Sequence, residues 1–343
     1  YAFRFENPRP GIAITSIDMA SANTPDKDWG APALFAISTG NREYEGTTYF
    51  VAPNGDDKNP GTFDQPWKTP YKAAATADIG DTVMFRGGRY LLDQDWNAVV
   101  HIQGTGAEGR PLIFMSYPGE TAVIDGDQHH GAPLEATQNP GPFDRDRGLI
   151  SLVGKEHVIF RNLWVEHARK CGMAIFSSKH ILLHHNTVFG TYHCGMNTGN
   201  NRHINFFGNV LGHVCSYKYV FNLKTQDWAP WEPDGMRDSQ VTFPGSDPNS
   251  PKLKGVRPGR EGIDLHNNQH CEIAFNEIYW CNKEAISDPT RYFKIHHNHL
   301  HHLPHRPGTY WPCGIYLDAY GDGMSDIEVY DNVIHDAAQG IVV

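Results

Sequence analysis

The sequence predicts an all-β protein whose main body is a right-handed parallel β-helix, preceded by a partial β-sandwich-like segment. Three observations lead there. A repeat of about 22 residues runs from residue 157 to the end of the chain. Each repeat holds two short strands of alternating polarity. The composition, with 34 glycines and 23 prolines in 343 residues, is that of a chain that turns often without being disordered.

The repeat is clearest at an asparagine. The segments ending in Asn162, Asn186, Asn209, Asn276, Asn298 and Asn332 each follow an alternating apolar run such as Ile181-Leu182-Leu183-His184-His185, and the asparagines are spaced 24, 23, 67, 22 and 34 residues apart. A unit of about 22 with insertions in the third and fifth gaps accounts for these intervals. Stacked at one turn, the amides can bond one another and the turn backbone. The second strand of each unit is marked by a small residue: Gly172, Gly195, Gly262, Ala285, Gly314 and Gly340. Strands this short cannot bury a face singly, but stacked rungs can. Leucine-rich repeats need regular leucines and propeller blades about 40 residues or more, so neither fits. Cys171, Cys194 and Cys313 share one phase and read as small buried fillers. A disulfide between neighbouring rungs is within geometric reach, since rungs lie about 4.8 Å apart.

Upstream, Tyr49-Phe50-Val51 and Asp81–Phe85 read as strands and Pro70–Asp78 as a short helix, with two more strands across 111–125. Residues 1–46 contain short apolar stretches, Ile12–Ile17 and Ala33–Ile37, too few for a core of their own. The expected domains are therefore 1–46, a sandwich remnant or linker, and 47–343, the β-helix, with loop insertions at 224–260 and 299–312. The chain begins at Tyr1 and stops within the apolar run Gly340–Val343, which reads as a piece of a longer protein.

Charge excludes some functions. Lys plus Arg number 29 against 39 Asp plus Glu, a net charge of −10, which disfavours nucleic acid as a partner because phosphate contacts need clustered cations. No apolar run is long enough to span a membrane. Oligomeric state is not readable.

Tyr49–Gly55, Asn59-Pro60-Gly61-Thr62, Pro66-Trp67-Lys68-Thr69, Gly80-Asp81-Thr82-Val83 and Arg86-Gly87-Gly88-Arg89-Tyr90 together resemble the N-terminal cap and first coil of the pectate-lyase-like β-helix superfamily; Pro111-Leu112-Ile113, Tyr117–Glu120 and Gly314–Asp318 continue the resemblance. Ile12–Ile37 resembles a fragment of a β-sandwich module found ahead of some such enzymes. The resemblance implies a carbohydrate-active enzyme with a polysaccharide or oligosaccharide substrate, and hence a secreted, periplasmic or cell-surface location. It does not fix the reaction, since the superfamily includes lyases, hydrolases, epimerases, esterases and phage tail proteins. The aspartate cluster with an intervening aromatic of one calcium-dependent pectate lyase family is not visible here, and no Lys and Arg pair matches the chondroitinase and alginate type.

Aligned on their small residue, the second strands place Met173, Met196, Ile263, Ile286 and Ile315 inward. Period-two alternation then sends Asp264, His266, Ser287, Tyr316 and Asp318 to an exterior face, with Asp288 beside them and Glu261 and Glu284 one rung apart at the strand entry. Two carboxyl groups flanking a glycosidic bond are what hydrolysis needs, about 5–5.5 Å apart for retention and about 6.5–9.5 Å for inversion. The leading expectation is a glycoside hydrolase with Asp264 as nucleophile or base and Glu284 as proton donor, supported by Asp318, Asp288, Glu261 and His266. That reaction requires no cofactor; Ca²⁺ is a candidate, held by Asp56 and Asp57 or by the rung aspartates. The alternatives are a polysaccharide lyase with Lys224, Lys283 or Arg260 as base, and a non-catalytic carbohydrate-binding β-helix. Trp228, Trp231, Tyr310, Trp311 and Tyr316 are candidate sugar-stacking groups, and Arg257 and Arg260 candidate carboxylate grips. The doublets His184-His185, His296-His297 and His301-His302 invite a metal reading, but strand neighbours should face opposite ways; His193, His266 and His299 form another candidate set.

Overall fold

The computed structural model describes residues 46–92, 99–126, 148–168, 171–191, 194–214, 261–281, 283–303, 313–318 and 323–343, and the backbone alone of 219–222 and 227–230. The described residues all fall in the second of two units, Tyr44–Val343. Trp231, Arg257, Arg260, Tyr310, Trp311, Lys224 and His193, the side chain of Trp228, and the sandwich-like segment all lie outside the described residues.

The expected right-handed parallel β-helix is what forms. Three parallel sheets, of nine, eight and eight strands, run along the coil. One rung consists of Lys179–His184 in the first sheet, Thr187–Phe189 in the second and Cys194–Gly199 in the third. The sequence suggested two strands per unit. The third is the three-residue strand just after the asparagine, too short to display an alternation, yet paired in register on both sides (Thr187 with Trp164 and Val210).

The asparagine stack is confirmed with one correction. Asn186 Nδ2 donates to Asn209 Oδ1 (3.1 Å), Asn209 to Asn276 (2.9 Å), Asn276 to Asn298 (3.0 Å) and Asn298 to Asn332 (2.9 Å). Each Oδ1 also accepts the backbone N–H of the asparagine before it, and each Nδ2 a second time reaches a strand carbonyl, as from Asn276 to Phe206 O at 3.0 Å. The buried amides are thus spent on both donors and on the acceptor. Asn162 is not in the stack. His184 pairs with Arg161 and Thr187 with Trp164, which puts Asn162 beside His185 and Leu163 beside Asn186. The unit is therefore 23 residues, and the 24-residue gap is a slipped alignment.

Asn162 instead occupies the residue before the ladder, where the backbone is left-handed. The same column holds His185, Phe275, His297 and Asp331, with φ between 52° and 60°. A left-handed residue just before each ladder asparagine makes the sharp bend between the first and second sheets. It also corrects the reading of the histidine doublets. Because His185 and His297 sit in the bend and not in a strand, they turn back on their neighbours, with Nδ1 to Nδ1 distances of 3.1 Å and 2.9 Å.

A second, shorter ladder lies at the turn from the third sheet back to the first: Asn201 Nδ2 donates to Asn268 Oδ1 at 2.8 Å. Its column reads Ser178, Asn201, Asn268, Thr290, too varied to be seen as a repeat. At the entrance to the first sheet His157, His180, His203, His270 and Tyr292 stack, with ring centroids 4.4–5.0 Å apart. The core between the sheets is apolar, from Phe85, Phe114 and Phe160 through Met173 and Met196 to Ile263, Ile286 and Ile315. Cys171, Cys194, Cys271, Cys281 and Cys313 are buried and not joined by disulfides, so the filler reading holds.

The first coil is closed by the short helix Pro70–Thr76, capped by Thr69. Asp57 binds the N–H groups of Lys68 and Thr69 at 2.8 Å and 2.9 Å, and Asp56 that of Lys58 at 2.9 Å. Both carboxylates cap turns of the first coil. No described helix is long and apolar enough to cross a membrane.

Replacing Asn276 by Ala removes two donors and the acceptor that two rungs share, leaving buried polar groups without partners. A loss of about 2–4 kcal/mol is expected in urea unfolding. Burial, reinforced by Arg161 and His185, pushes the His184 imidazole down to about 4. The unfolded imidazole binds its proton near 6.5. Below that pH the unfolded state takes up protons that the folded state refuses, so stability present above about pH 6.5 is lost as pH falls toward about 4. Melting temperatures measured between pH 7.5 and 4.5 should fall, and less steeply in His184→Gln.

Candidate active site

The acidic face belongs to the third sheet, on the rungs carrying Ile263–His266, Ile286–Ser287 and Cys313–Tyr316. Register pairs Asp264 with Asn197 on one side and Ser287 on the other, and Ser287 with Tyr316. The small-residue column is steric: a Cβ on Gly262 would lie 2.6 Å from the Ala285 carbonyl, and one on Gly195 2.6 Å from Leu211 Cδ2. These strands can thus start tight against the core.

The alternation holds for the inward residues but not for exposure. Asp264 is 0% exposed, and Glu261, Glu284 and Asp288 are also buried. The expected solvent-facing column is a buried charged cluster. Burying carboxylates is costly unless they find cations. Two are present. Lys283 Nζ lies 2.6 Å from Glu261 Oε1 and 3.1 Å from Glu284 Oε2. His266 Nε2 lies 2.9 Å from Asp264 Oδ1, and its Nδ1 3.8 Å from Asp288 Oδ2.

The position of Asp288 follows from a missing residue. Between the third and first sheets, five steps lead from Asp264 to Gln269 but four from Ser287 to Arg291, although both ends are in register. Elsewhere this turn has left-handed residues Ser177, Asn200 and Asn267 (φ 52°, 56° and 49°). Pro289 is locked near −65° and cannot serve. Asp288 takes the left-handed conformation instead (φ 59°), leaving the strand's alternation. The same deletion explains the single 22-residue interval from Asn276 to Asn298.

Proton affinities follow from burial and like charge. Burial, then the charge of Asp264, pushes the Asp288 carboxyl up to about 7. Burial and Asp264 also raise Glu261 well above the ordinary range, against the pull of Lys283. Lys283 moves up as well: its glutamate partners outweigh the cost of burying it and hold the ammonium form. At the edge of the cluster Tyr316 donates to Asp318 Oδ2 at 3.2 Å.

The structure thus brings together Glu261, Asp264, His266, Glu284 and Asp288, with Tyr316 and Asp318 on the next rung. It does not unite His266 with His299, which stands on the second sheet in His299–Leu303. That strand also shortens the insertion expected at 299–312. The ion pairs of Lys283 were not foreseen, although its place directly before Glu284, in a column one rung from Glu261, was a readable signal. Asp264, His266 and Asp288, or Glu261 and Asp264 with Cys194, bring potential ligand atoms within 4.8 Å of one another. A further acidic group on the second sheet, Asp125 and Glu166, is paired with Arg89 and contacts His167.

A three-sheet coil of 23-residue rungs with a buried acidic face on one sheet is a β-helix of the pectate-lyase-like, carbohydrate-active kind. More narrowly, residues 49–226 match the family described as Pel9A-like, right-handed β-helix region, and the chain belongs to that family. The match ends ahead of the acidic face. Among curated proteins, the uncharacterized protein YwoF of Bacillus subtilis (strain 168) is 30% identical over 155 residues, covering 44% of this chain and 30% of that protein. Pectate lyase PEL9 of Emericella nidulans is 29% identical over 114 residues, 33% of this chain and 26% of that protein. The aligned region is thus under a third of either relative. Among solved structures, pectate lyase Pel9A aligns at TM-score 0.51 and 10% identity, over 85% of this chain and 78% of that one. The GH136 lacto-N-biosidase of Eubacterium ramulus aligns at TM-score 0.51 and 13% identity, over 86% of this chain and 51% of that one. At such identities these structures share the fold.

Selective ¹³C labelling of aspartate should reveal a carboxyl titrating near 7 that disappears in Asp288→Asn. In Asp264→Asn that midpoint should fall toward the ordinary range, since the second cause of its elevation is removed.

Proposed function

We propose that the protein is a polysaccharide lyase that cleaves a uronate-containing polymer by β-elimination, with Lys283 as the base. The observation that carries this is the position of Lys283: an amine held by Glu261 and Glu284 on the same face as Asp264 and Asp288. Membership of the Pel9A-like family and local identity to a pectate lyase support it. The fold alone is neutral, since a lacto-N-biosidase shares it equally.

In the reaction, neutral Lys283 takes the proton from C5, next to the uronate carboxylate. The C–H electron pair forms the C4=C5 double bond, the C4–O4 bond breaks, and O4 leaves with a proton from solvent. The α proton becomes acidic only when the substrate carboxylate is neutralised. Asp264, with Asp288 and His266 on one side or Glu261 on the other, supplies carboxylate oxygens that fit a hard cation; burial first, and then the charge of Asp264, raises both neighbouring carboxyls. Ca²⁺ held there would supply the positive charge that neutralises the substrate carboxylate and offsets the glutamates around Lys283. Lys283 must lose its proton to act, and its partners hold that proton above the usual lysine range. Activity therefore rises with pH into the alkaline region. A polymer substrate places such an enzyme outside the cytoplasm.

One observation favours hydrolysis as a second reading. Asp288, up at about 7, is a proton donor available at neutral pH, as a glycosidic leaving group requires.

The two readings separate in one assay. Polygalacturonate and alginate are incubated with CaCl₂ or EDTA while absorbance near 235 nm and reducing ends are recorded together. The lyase reading expects both signals to rise together, to be abolished by EDTA, and to fall about 10³-fold or more in Lys283→Met with an unchanged circular dichroism spectrum. Reducing ends without absorbance, lost in Asp288→Asn but kept in Lys283→Met, would overturn it for the hydrolase.

A further inference from the structure

The second sheet carries a cluster that the acidic face does not use. His299 and His301 lie two residues apart in the strand His299–Leu303, so both project from its outer side, while Leu300 between them is buried. On the next rung His335, in Val333–Ala337, is directly opposite His301. The rings of His301 and His335 stack at 5.3 Å, and those of His299 and His301 at 4.2 Å. His299 Nε2 and His335 Nε2 are 2.9 Å apart. One nitrogen from each of the three rings lies within 4.8 Å of the others.

Two carboxylates contact these rings, and the remaining His301 nitrogen, Nδ1, lies 2.6 Å from His302 Nδ1, a contact that an ion bound there would replace. Asp336 Oδ2 is 2.9 Å from His335 Nδ1, and Glu277 Oε1 is 3.0 Å from His301 Nε2. A carboxylate that accepts from Nδ1–H fixes the tautomer and leaves the His335 Nε2 lone pair pointing at His299. This is how proteins orient and strengthen histidines that bind metal. Two neutral imidazoles this close can share one proton at most. Metal–nitrogen bonds of about 2.0–2.1 Å in a tetrahedral site place neighbouring ligand nitrogens about 3.3 Å apart, a few tenths of an ångström beyond the Nε2 pair.

We propose that His299, His301 and His335 form a three-imidazole site for a divalent transition-metal cation of the Zn²⁺ class, oriented by Asp336 and Glu277. Imidazole donors select such ions over Ca²⁺ and Mg²⁺, which prefer oxygen. The ligands come from two adjacent rungs, so the bound ion clamps them together. His335 is 45% exposed and His301 12%, which leaves the cluster open to solvent on one side. The site stands on a different sheet from the Glu261–Asp288 face.

The test uses the full chain, stripped with chelator and dialysed, then titrated with ZnCl₂ in a calorimeter and with CuCl₂ in an electron paramagnetic resonance tube. The expected result is one Zn²⁺ site of micromolar affinity or tighter, a Cu²⁺ spectrum with nitrogen splitting, and a melting temperature raised by several degrees at saturating Zn²⁺. His335→Gln should abolish that site. Asp336→Asn should weaken it about 10–100-fold while leaving all three imidazoles in place. His266→Gln, in the acidic face, should leave it unchanged. The exposed positions of His335 and Asp336 allow both variants to fold, which circular dichroism checks. Absence of Zn²⁺ binding at 100 μM, or binding that survives His335→Gln, or binding lost in His266→Gln, overturns the proposal.

Discussion

The architecture depends on a hydrogen-bond problem at one bend. Each rung must reverse from the first sheet into the second in two residues, and the bend leaves backbone groups that neither sheet can pair. The asparagines from Asn186 to Asn332 solve this by pairing with the bend above, the strand below and each other. Because each amide serves two rungs, the ladder sets the repeat length and keeps all three sheets in register. Any insertion must leave and rejoin between ladder residues. That is why the 67-residue interval from Asn209 to Asn276 still delivers Asn276 to its place under Asn209.

Register then concentrates charge. Stacking at the rung spacing puts residues of one phase within a few ångströms, so carboxylates that are far apart in sequence become neighbours. Glu261 and Glu284 share Lys283, and Asp264 shares His266 with Asp288. Removing these groups from water makes the effect stronger, and the raised proton affinities of Glu261 and Asp288 are its signature. The shortened turn at Pro289 adds Asp288 to a cluster that strict alternation would have kept it out of.

The same stacking arranges rings. The column from His157 to Tyr292 and the group at His299, His301 and His335 arise because a residue type repeated in phase becomes a continuous surface feature. In the first case the rings only stack. In the second, flanking carboxylates give the imidazoles a direction.

The repeat, the strand alternation and the small-residue phase of the third sheet were all legible in the residues, because each is a local pattern that recurs. They determined the β-helix, the inward methionines and isoleucines, and the membership of Glu261, Asp264, His266, Glu284 and Asp288 in one group. The short strands of the second sheet, the true phase of Asn162 and the histidine contacts across bends were not legible. Each depends on a backbone turn of one or two residues, below the resolution of periodicity. Burial was the largest gap. Alternation says which way Asp264 points, but only the packing of neighbouring rungs decides whether water is there. Without water, Glu261 and Asp288 hold their protons more tightly, and that change was decided by tertiary structure alone.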